Sequence, residues 1–270
     1  MKPRLMPHLA LLLAIASGYG LISTAAISAE EGVEPEHQEW SFDGPFGLFD
    51  RAALQRGFHV YKDICSACHT LDLIAFRNLG DPGGPGFSEA EVRALAASYM
   101  VPAEPDERGR TTDADGRPLM REAIPADYYP SRFANDNAQR AANNGALPPD
   151  LSLLVKARDG GADYLYALLT GYGHDAPEDV TVPPGQYYNP YFAGGLIAMP
   201  QPMFANQVVY ADGTPATIEQ MASDVTHFLA WTAEPKMEER KRLGFAVILF
   251  LAGFAALCYA SYRRLWRDAH

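Results

Sequence analysis

Cys65-Ser66-Ala67-Cys68-His69 places two thiols one helical turn apart and an imidazole directly after the second. Each residue type has a use. Thiols at this spacing can each add to a vinyl group of one porphyrin, and the histidine next in sequence then offers a nitrogen to the iron. The pattern predicts one covalently attached haem c, with Cys65 and Cys68 as thioether positions and His69 as proximal ligand. A zinc centre would need about four ligands, and the third cysteine, Cys258, stands far away in an apolar stretch. A redox dithiol would want a βαβ setting, which the flanks do not supply.

The other face of such a haem needs a second ligand. Outside the apolar C-terminal stretch the candidates are His59, His174 and His227, and Met100, Met120, Met199, Met203, Met221 and Met237. His227 and Met221 belong to an amphipathic helix and read as surface and core respectively. His59 is too near His69 in sequence to reach the opposite face easily. Met199 lies in Ala198-Met199-Pro200-Gln201-Pro202, where prolines restrict the backbone and can hold a thioether at low entropic cost. Met203, in the same loop, competes for the role, and a methionine there can equally fill a core gap. Histidine–methionine ligation raises the potential and leaves no open coordination position, which suits passing single electrons rather than binding oxygen or peroxide.

The elements that must hold these residues read as mainly helical. Asp50 caps a helix carrying Leu54, Phe58, Tyr61 and Cys65 near helical period, so both thiols should fall on its inner face. Ser88 with Glu91 forms a capping box for a helix reaching Met100. The polar, Gly- and Pro-rich stretch from Pro102 to Pro130 reads as surface loop, and Ala138 to Gly145 as a helical turn ending at glycine. Leu147-Pro148-Pro149-Asp150-Leu151 should be rigid and extended, with Asp150 or Ser152 capping the stretch that follows. A helix is expected over Ala162 to Thr170, then a long loop from Gly171 to Gly195. Thr217 with Gln220 starts an amphipathic helix bearing Met221, Val225, Phe228 and Leu229 and running to Trp231.

Two apolar segments divide the 270 residues. Residues 1–29 have the charged start and short apolar run of a secretory signal, with cleavage expected after Ala29. Leu243 to Tyr262 is free of charge and long enough for a hydrocarbon core of roughly 30 Å at about 1.5 Å per residue. Basic clusters flank it, and the net positive tail, 263–270, places the C-terminus in the cytoplasm and the domain of 30–240 outside. Haem c is attached on the exported side of a membrane, in keeping with that orientation. Both exported cysteines are then committed to the haem motif, and no disulfide is expected. The formal net charge is −11, from 33 acidic and 22 Lys or Arg residues. This sign excludes nucleic acid as a partner and, with carboxylates clustered at 30–39, 104–107, 113–115 and 175–179, favours a basic one.

With these residues in view, the chain resembles cytochrome c1, the haem c subunit of the ubiquinol–cytochrome c reductase (cytochrome bc1) complex. The matching stretches are RGFHVYKDICSACH (56–69), RAANNGALPPDLS (140–152), KARDGGADYLYALLTGY (156–172), YYNPYFAGGLIAMPQPMF (187–204) and MASDVTHFLAWTAEPKMEERKRLG (221–244). The resemblance implies a mainly α, cytochrome-c-like haem domain with long loop insertions and one C-terminal transmembrane helix. It implies Cys65 and Cys68 as thioether cysteines, His69 and Met199 as iron ligands, and a pocket lined by Asn143, Pro148, Pro149, Leu151, Tyr164, Leu168, Leu169 and Phe192. Arg158 matches an arginine that pairs with a haem propionate. Implied partners are cytochrome b, a Rieske iron–sulfur protein as electron donor and a basic soluble cytochrome c as acceptor, in a dimeric inner-membrane complex with the haem domain periplasmic. No independent catalysis is expected. Some bacterial relatives carry an extra disulfide in this domain, and this chain lacks the cysteines for it. The readings of other classes are a tethered shuttle that belongs to no complex and a haem peroxidase with an open distal site.

Overall fold

A computed structural model describes residues 32–267. The expected signal segment, 1–29, lies outside the described residues. Six helices and two small two-stranded sheets make up the described chain, so the class is mainly α. In order these are α1 (Arg51–Asp63), α2 (Glu89–Ala97), β1 (Met100–Pro102), β2 (Met120–Glu122), α3 (Asp136–Ala142), α4 (Gly161–Thr170), β3 (Tyr187–Tyr188), β4 (Leu196–Ile197), α5 (Ile218–Ala233) and α6 (Met237–Leu265). Short 3-10 turns follow α1, precede α2 and precede α4.

The caps are where the side-chain chemistry requires them. Asp50 accepts the N–H groups of Ala52 and Ala53 at the head of α1, and Ser88 and Glu91 close the capping box of α2. Thr217 accepts the N–H of Gln220 at the head of α5. Each cap satisfies donors that the first helical turn leaves without partners.

Helices α1 and α5 form the centre of the fold. They approach so closely that a Cβ on Gly57 would collide with the carbonyl oxygen of Asp224 and lie 2.7 Å from the Cβ of Phe228. Beside this contact the Arg56 guanidinium donates twice to Asp224, at 2.9 Å each, and once to Asp212. The Asp224 side chain is 1 % exposed, so the pair fixes how the two helices register. Phe58, Tyr61, Phe228 and Trp231 are buried around it, with Phe58 and Phe228 edge-on at 5.7 Å between centroids.

The segment before α1 wraps across the helices. Trp40 donates its indole N–H to Asp163 of α4 at 2.6 Å and stands edge-on to His227 of α5. His227 is 8 % exposed and shares a 2.9 Å hydrogen bond between Nδ1 and the Ser223 carbonyl. It is therefore not the surface residue its polarity suggested, because the aromatic strap of Trp40 and Phe42 covers it.

Three further expectations are corrected. The stretch 102–130 is not all surface loop: β1 pairs antiparallel with β2, and Ala123 and Tyr129 enter the core. Helix α2 ends at Ala97, and Met100 opens β1 instead. After Ser152 only a 3-10 turn forms, Leu154–Lys156, because the Asp150 and Ser152 side chains are bonded elsewhere. The loop from 171 stays irregular until β3, which pairs with β4. The turn expected at 138–145 is α3, which ends where Asn144 and Gly145 take positive φ.

Only Glu234 to Lys236 separate α5 from α6. The apolar window of α6 is not buried against the rest of the chain, and its first turn is braced by Glu238. That carboxylate accepts the Phe49 N–H at 2.9 Å and pairs with Arg51 at 2.6 Å. A 29-residue helix that is long and apolar enough to cross a membrane fits the expected anchor.

Gly57→Ala should force α1 and α5 apart and cost on the order of 1–3 kcal/mol, seen as a thermal midpoint lowered by several degrees in circular dichroism. The Asp127 carboxyl, held down at about 2 by the Arg121 guanidinium and the Ile124 N–H, should make the 121–127 turn acid-sensitive. A carboxyl depressed in the folded state stabilises above its ordinary value of 3.8 and loses that contribution as pH falls toward 2. Asp127→Asn should flatten part of the fall in melting temperature across that window.

Candidate haem-binding site

At the end of α1 the chain tightens. Ile64 still bonds back to Val60, but Cys68 N–H bonds to Cys65 O at 3.1 Å and His69 N–H to the same oxygen at 2.9 Å. In such an i→i+3 turn, residues three apart eclipse one another, so the two cysteines line one side of the turn. Cys65 is half-buried at the core edge, whereas Cys68 is exposed. The expectation that both thiols lie on the inner face of α1 therefore holds only in part: both cysteines lie beyond α1, which ends at Asp63, and Cys65 reaches the core edge whereas Cys68 does not. Burial pushes the Cys65 thiol up to about 12, with Cys68 adding a little. A dithiol redox centre requires a stabilised thiolate, and burial acts in the other direction on Cys65.

His69 is half-buried, with Nδ1 at 2.8 Å from the Pro149 carbonyl oxygen. With Nδ1–H donating there, Nε2 keeps its lone pair and the ring plane is fixed, which is how ligating imidazoles are oriented. Burial lowers its pKa, against smaller opposing effects of the Pro149 carbonyl and Asp150. The imidazole is thus held neutral, the form that binds a metal.

Pro149 can accept this bond because the segment 147–152 is extended and tied to residues 68–73. Leu151 N–H bonds to Thr70 O at 3.0 Å. Asp150 accepts from the Thr70 hydroxyl at 2.8 Å, the Asp72 N–H at 2.7 Å and the Ser152 N–H at 2.9 Å. Burial alone would raise this carboxyl, but those bonds bring it below the ordinary range. The Ser152 hydroxyl accepts the Leu73 N–H. Gln139, buried on the short helix α3, donates to both Cys68 O at 2.9 Å and Pro148 O at 3.1 Å, and Asn143 donates to the Gln139 carbonyl. Sequence reasoning missed Gln139 and misread Asp150 and Ser152 as a helix cap. No local signal marks a glutamine on a polar helix as a bracket between two distant carbonyls.

A second group of expected residues is assembled by α4. Leu168 and Leu169 are each 8 % exposed and Leu151 4 %. Leu151, Leu165 and Leu169 share one apolar core with α1 and α5. The fully buried Asn189 donates to the Leu168 carbonyl at 2.8 Å, and the Tyr172 hydroxyl donates to the Met199 carbonyl at 3.0 Å. These bonds seat the 189–199 loop, with half-buried Phe192 and Met199, on the C-terminal end of α4. Burial sorts the competing sulfurs: Met203 is 1 % exposed within the core, whereas Met199 is only half-buried. Met221 and Met237 are likewise buried, and Met100 and Met120 stand exposed on the β1–β2 pair. Tyr164 is half-buried, and Arg158 is exposed, donating to its neighbour's carbonyl at Ala157 and forming no ion pair among the described residues.

Paired thiols, a neutral imidazole with Nε2 available, a thioether on a tethered loop and an arginine without a carboxylate together match the donor set of a c-type haem. Among the described residues no group of three or more His, Cys, Asp or Glu side chains could hold a metal ion by itself.

The profile described as the Cytochrome C1 family matches residues 40–269. The chain belongs to the cytochrome c1 family. It is 48% identical over 280 residues to cytochrome b/c1 of Bradyrhizobium diazoefficiens, covering 97% of this chain but only 40% of that protein. It is 48% identical over 237 residues to the mitochondrial "cytochrome c1, heme protein" of Saccharomyces cerevisiae, covering 88% of this chain and 74% of that one. It is 44% identical over 270 residues to cytochrome c1 of Rhodospirillum rubrum, covering 94% and 96% respectively. In this chain the bracket made by Gln139, Asp150 and Ser152 holds the CSACH turn and the residues after it against the segment 147–152. Gln139→Leu should leave the Cys68 and Pro148 carbonyls without their donor at a cost of about 1–3 kcal/mol, read as a lowered thermal midpoint with native helix content retained.

Proposed function

We propose that this chain is the haem c subunit of a quinol–cytochrome c reductase, a membrane-anchored carrier of single electrons. The observation that carries the reading is the His69 Nδ1 to Pro149 O hydrogen bond, which aims a neutral imidazole from directly beside Cys65 and Cys68 in a chain matched to the family over 40–269. In this reading a single haem c, when bound, supplies a one-electron couple. Cys65 and Cys68 would hold it through thioethers, and His69, through Nε2, and Met199, through its sulfur, would be the residues that bind its iron. Asn143, Pro148, Pro149, Leu151, Tyr164, Leu168, Leu169 and Phe192 enclose the site and exclude water. Arg158, which forms no ion pair among the described residues, would supply the charge-assisted partner that a propionate needs.

The same reading assigns residues 1–29 to a cleaved signal, 30–240 to a periplasmic haem domain, 243–262 to a single inner-membrane span and 263–270 to a cytoplasmic tail. Relatives named cytochrome b/c1 and cytochrome b-c1 complex catalytic subunit support membership of a bc1 complex, in which cytochrome b is the fixed neighbour and the assembly is a dimer. The chain then receives electrons from a Rieske iron–sulfur protein and passes them to a basic soluble cytochrome c, toward which the acidic surface exerts long-range attraction.

The test is extraction of the chain from native membranes in mild detergent, followed by a redox difference spectrum. The expected result is a c-type band accompanied by b-type haem and quinol–cytochrome c reductase activity. A c-type band alone would favour a tethered carrier outside any complex. Met199→Leu should keep the haem attached, because the thioethers are untouched, yet lower its potential and slow its reduction by the Rieske centre. An unchanged potential would move the ligand role to another residue.

A further inference from the structure

The loop that precedes α1 and the first turns of α6 enclose a cleft of about 640 Å³ that the haem reading does not use. Its two ends differ in chemistry. At one end Lys241 donates to the carbonyls of Phe42 at 2.7 Å and Gly47 at 3.0 Å. An ammonium has three donors, and both acceptors here are uncharged, so one N–H and the whole charge are left to an external acceptor. Lys241 forms no ion pair among the described residues, and Arg240, which also lines the cleft, donates to Glu234 through Nε. Asp43, next in sequence to Phe42, whose carbonyl Lys241 engages, also lines the cleft.

The other end is apolar. Phe46 is 76% exposed and stands edge-on to Phe245 of α6, with ring centroids 6.0 Å apart. Ile248, one turn further along, is 65% exposed, and Leu48 beside Phe46 is 58% exposed. An exposed aromatic loop against the opening turns of an apolar helix is unfavourable in water and suited to the headgroup layer of a bilayer, where aromatic rings concentrate.

We propose that this cleft holds a phospholipid with an amine headgroup. Its phosphate sits on Lys241 and Arg240, its amine faces Asp43, and one acyl chain lies along Phe46, Phe245 and Ile248. The loop 41–49 is then a second membrane contact beside the anchor. The inference rests on reading α6 as a membrane span.

The experiment places the assembly extracted with this chain in nanodiscs of phosphatidylcholine containing a few per cent of phosphatidylethanolamine with a photoactivatable acyl chain. Illumination and peptide mapping should show labelling of 41–49 and 244–248 in clear excess over the later turns of α6. Phosphatidylglycerol carrying the same label should give less. Ile248→Trp, which narrows the apolar end and leaves the loop contacts alone, and Lys241→Gln should each cut the excess several-fold, with haem absorbance and labelling of 255–262 unchanged. Even labelling along α6, or an excess that neither variant reduces, overturns the lipid site. A labelled α6 with an unlabelled cleft also overturns it, because a protein neighbour then fills the cleft while the anchor stands. No labelling anywhere on α6 overturns the anchor reading itself.

Discussion

The hydrogen bond from His69 to the Pro149 carbonyl is a single contact, yet it exists only because the extended segment 147–152 lies fixed against the turn at 68–73. Proline at two successive positions keeps that segment extended and removes two backbone donors that would otherwise need partners. The remaining polar groups are satisfied across the gap by Asp150, Ser152 and Gln139. The imidazole is therefore oriented by a network about eighty residues away in sequence. The thiols share this dependence, since they precede His69 on the same turn.

Behind the bracket stands the α1–α5 pair. Gly57 allows the backbones to approach, and the bond from Arg56 to buried Asp224 selects one register for that approach. A buried ion pair contributes little net stability, because desolvation offsets most of its attraction. Apolar burial by Phe58, Tyr61, Phe228 and Trp231 holds the helices together, and the ion pair determines how they meet. Since α1 ends in the cysteine turn, this register also sets where Cys65 enters the core.

The helices with chemical caps were legible in the sequence because cap, period and boundary are all local: α1, α2 and α5 begin where Asp50, Ser88 and Thr217 require. The sheets were not, because strands of two or three residues carry no period and their pairing depends on partners across irregular loops, as between Met100 and Glu122 or Tyr187 and Ile197. His227 was misread for a related reason: the Trp40 strap that buries it comes from the far end of the chain. In the site, the CSACH motif was legible from residue type and spacing. The preference for Met199 over Met203 drew on flanking prolines, and the difference in burial between the two, Met203 in the core and Met199 half-buried, was not legible from spacing. Gln139 gave no signal, since its two acceptors are the carbonyls of Cys68 and Pro148, and backbone acceptors are invisible in a sequence.

The junction of α5 and α6 has a mechanical consequence. Three residues separate the helices, and carboxylates on either side, Glu234 and Glu238, lash the bend to Lys156, Arg240, Arg51 and the Phe49 backbone. A joint braced from several directions resists torsion, so the globular part behaves as a head on a stiff mast rather than as a float on a tether. The angle between the globular part and α6, and the direction its surfaces face about that helix, are then constants of the fold. A group that must meet one particular face of the globular part has to come to it, since that face is not free to turn about α6.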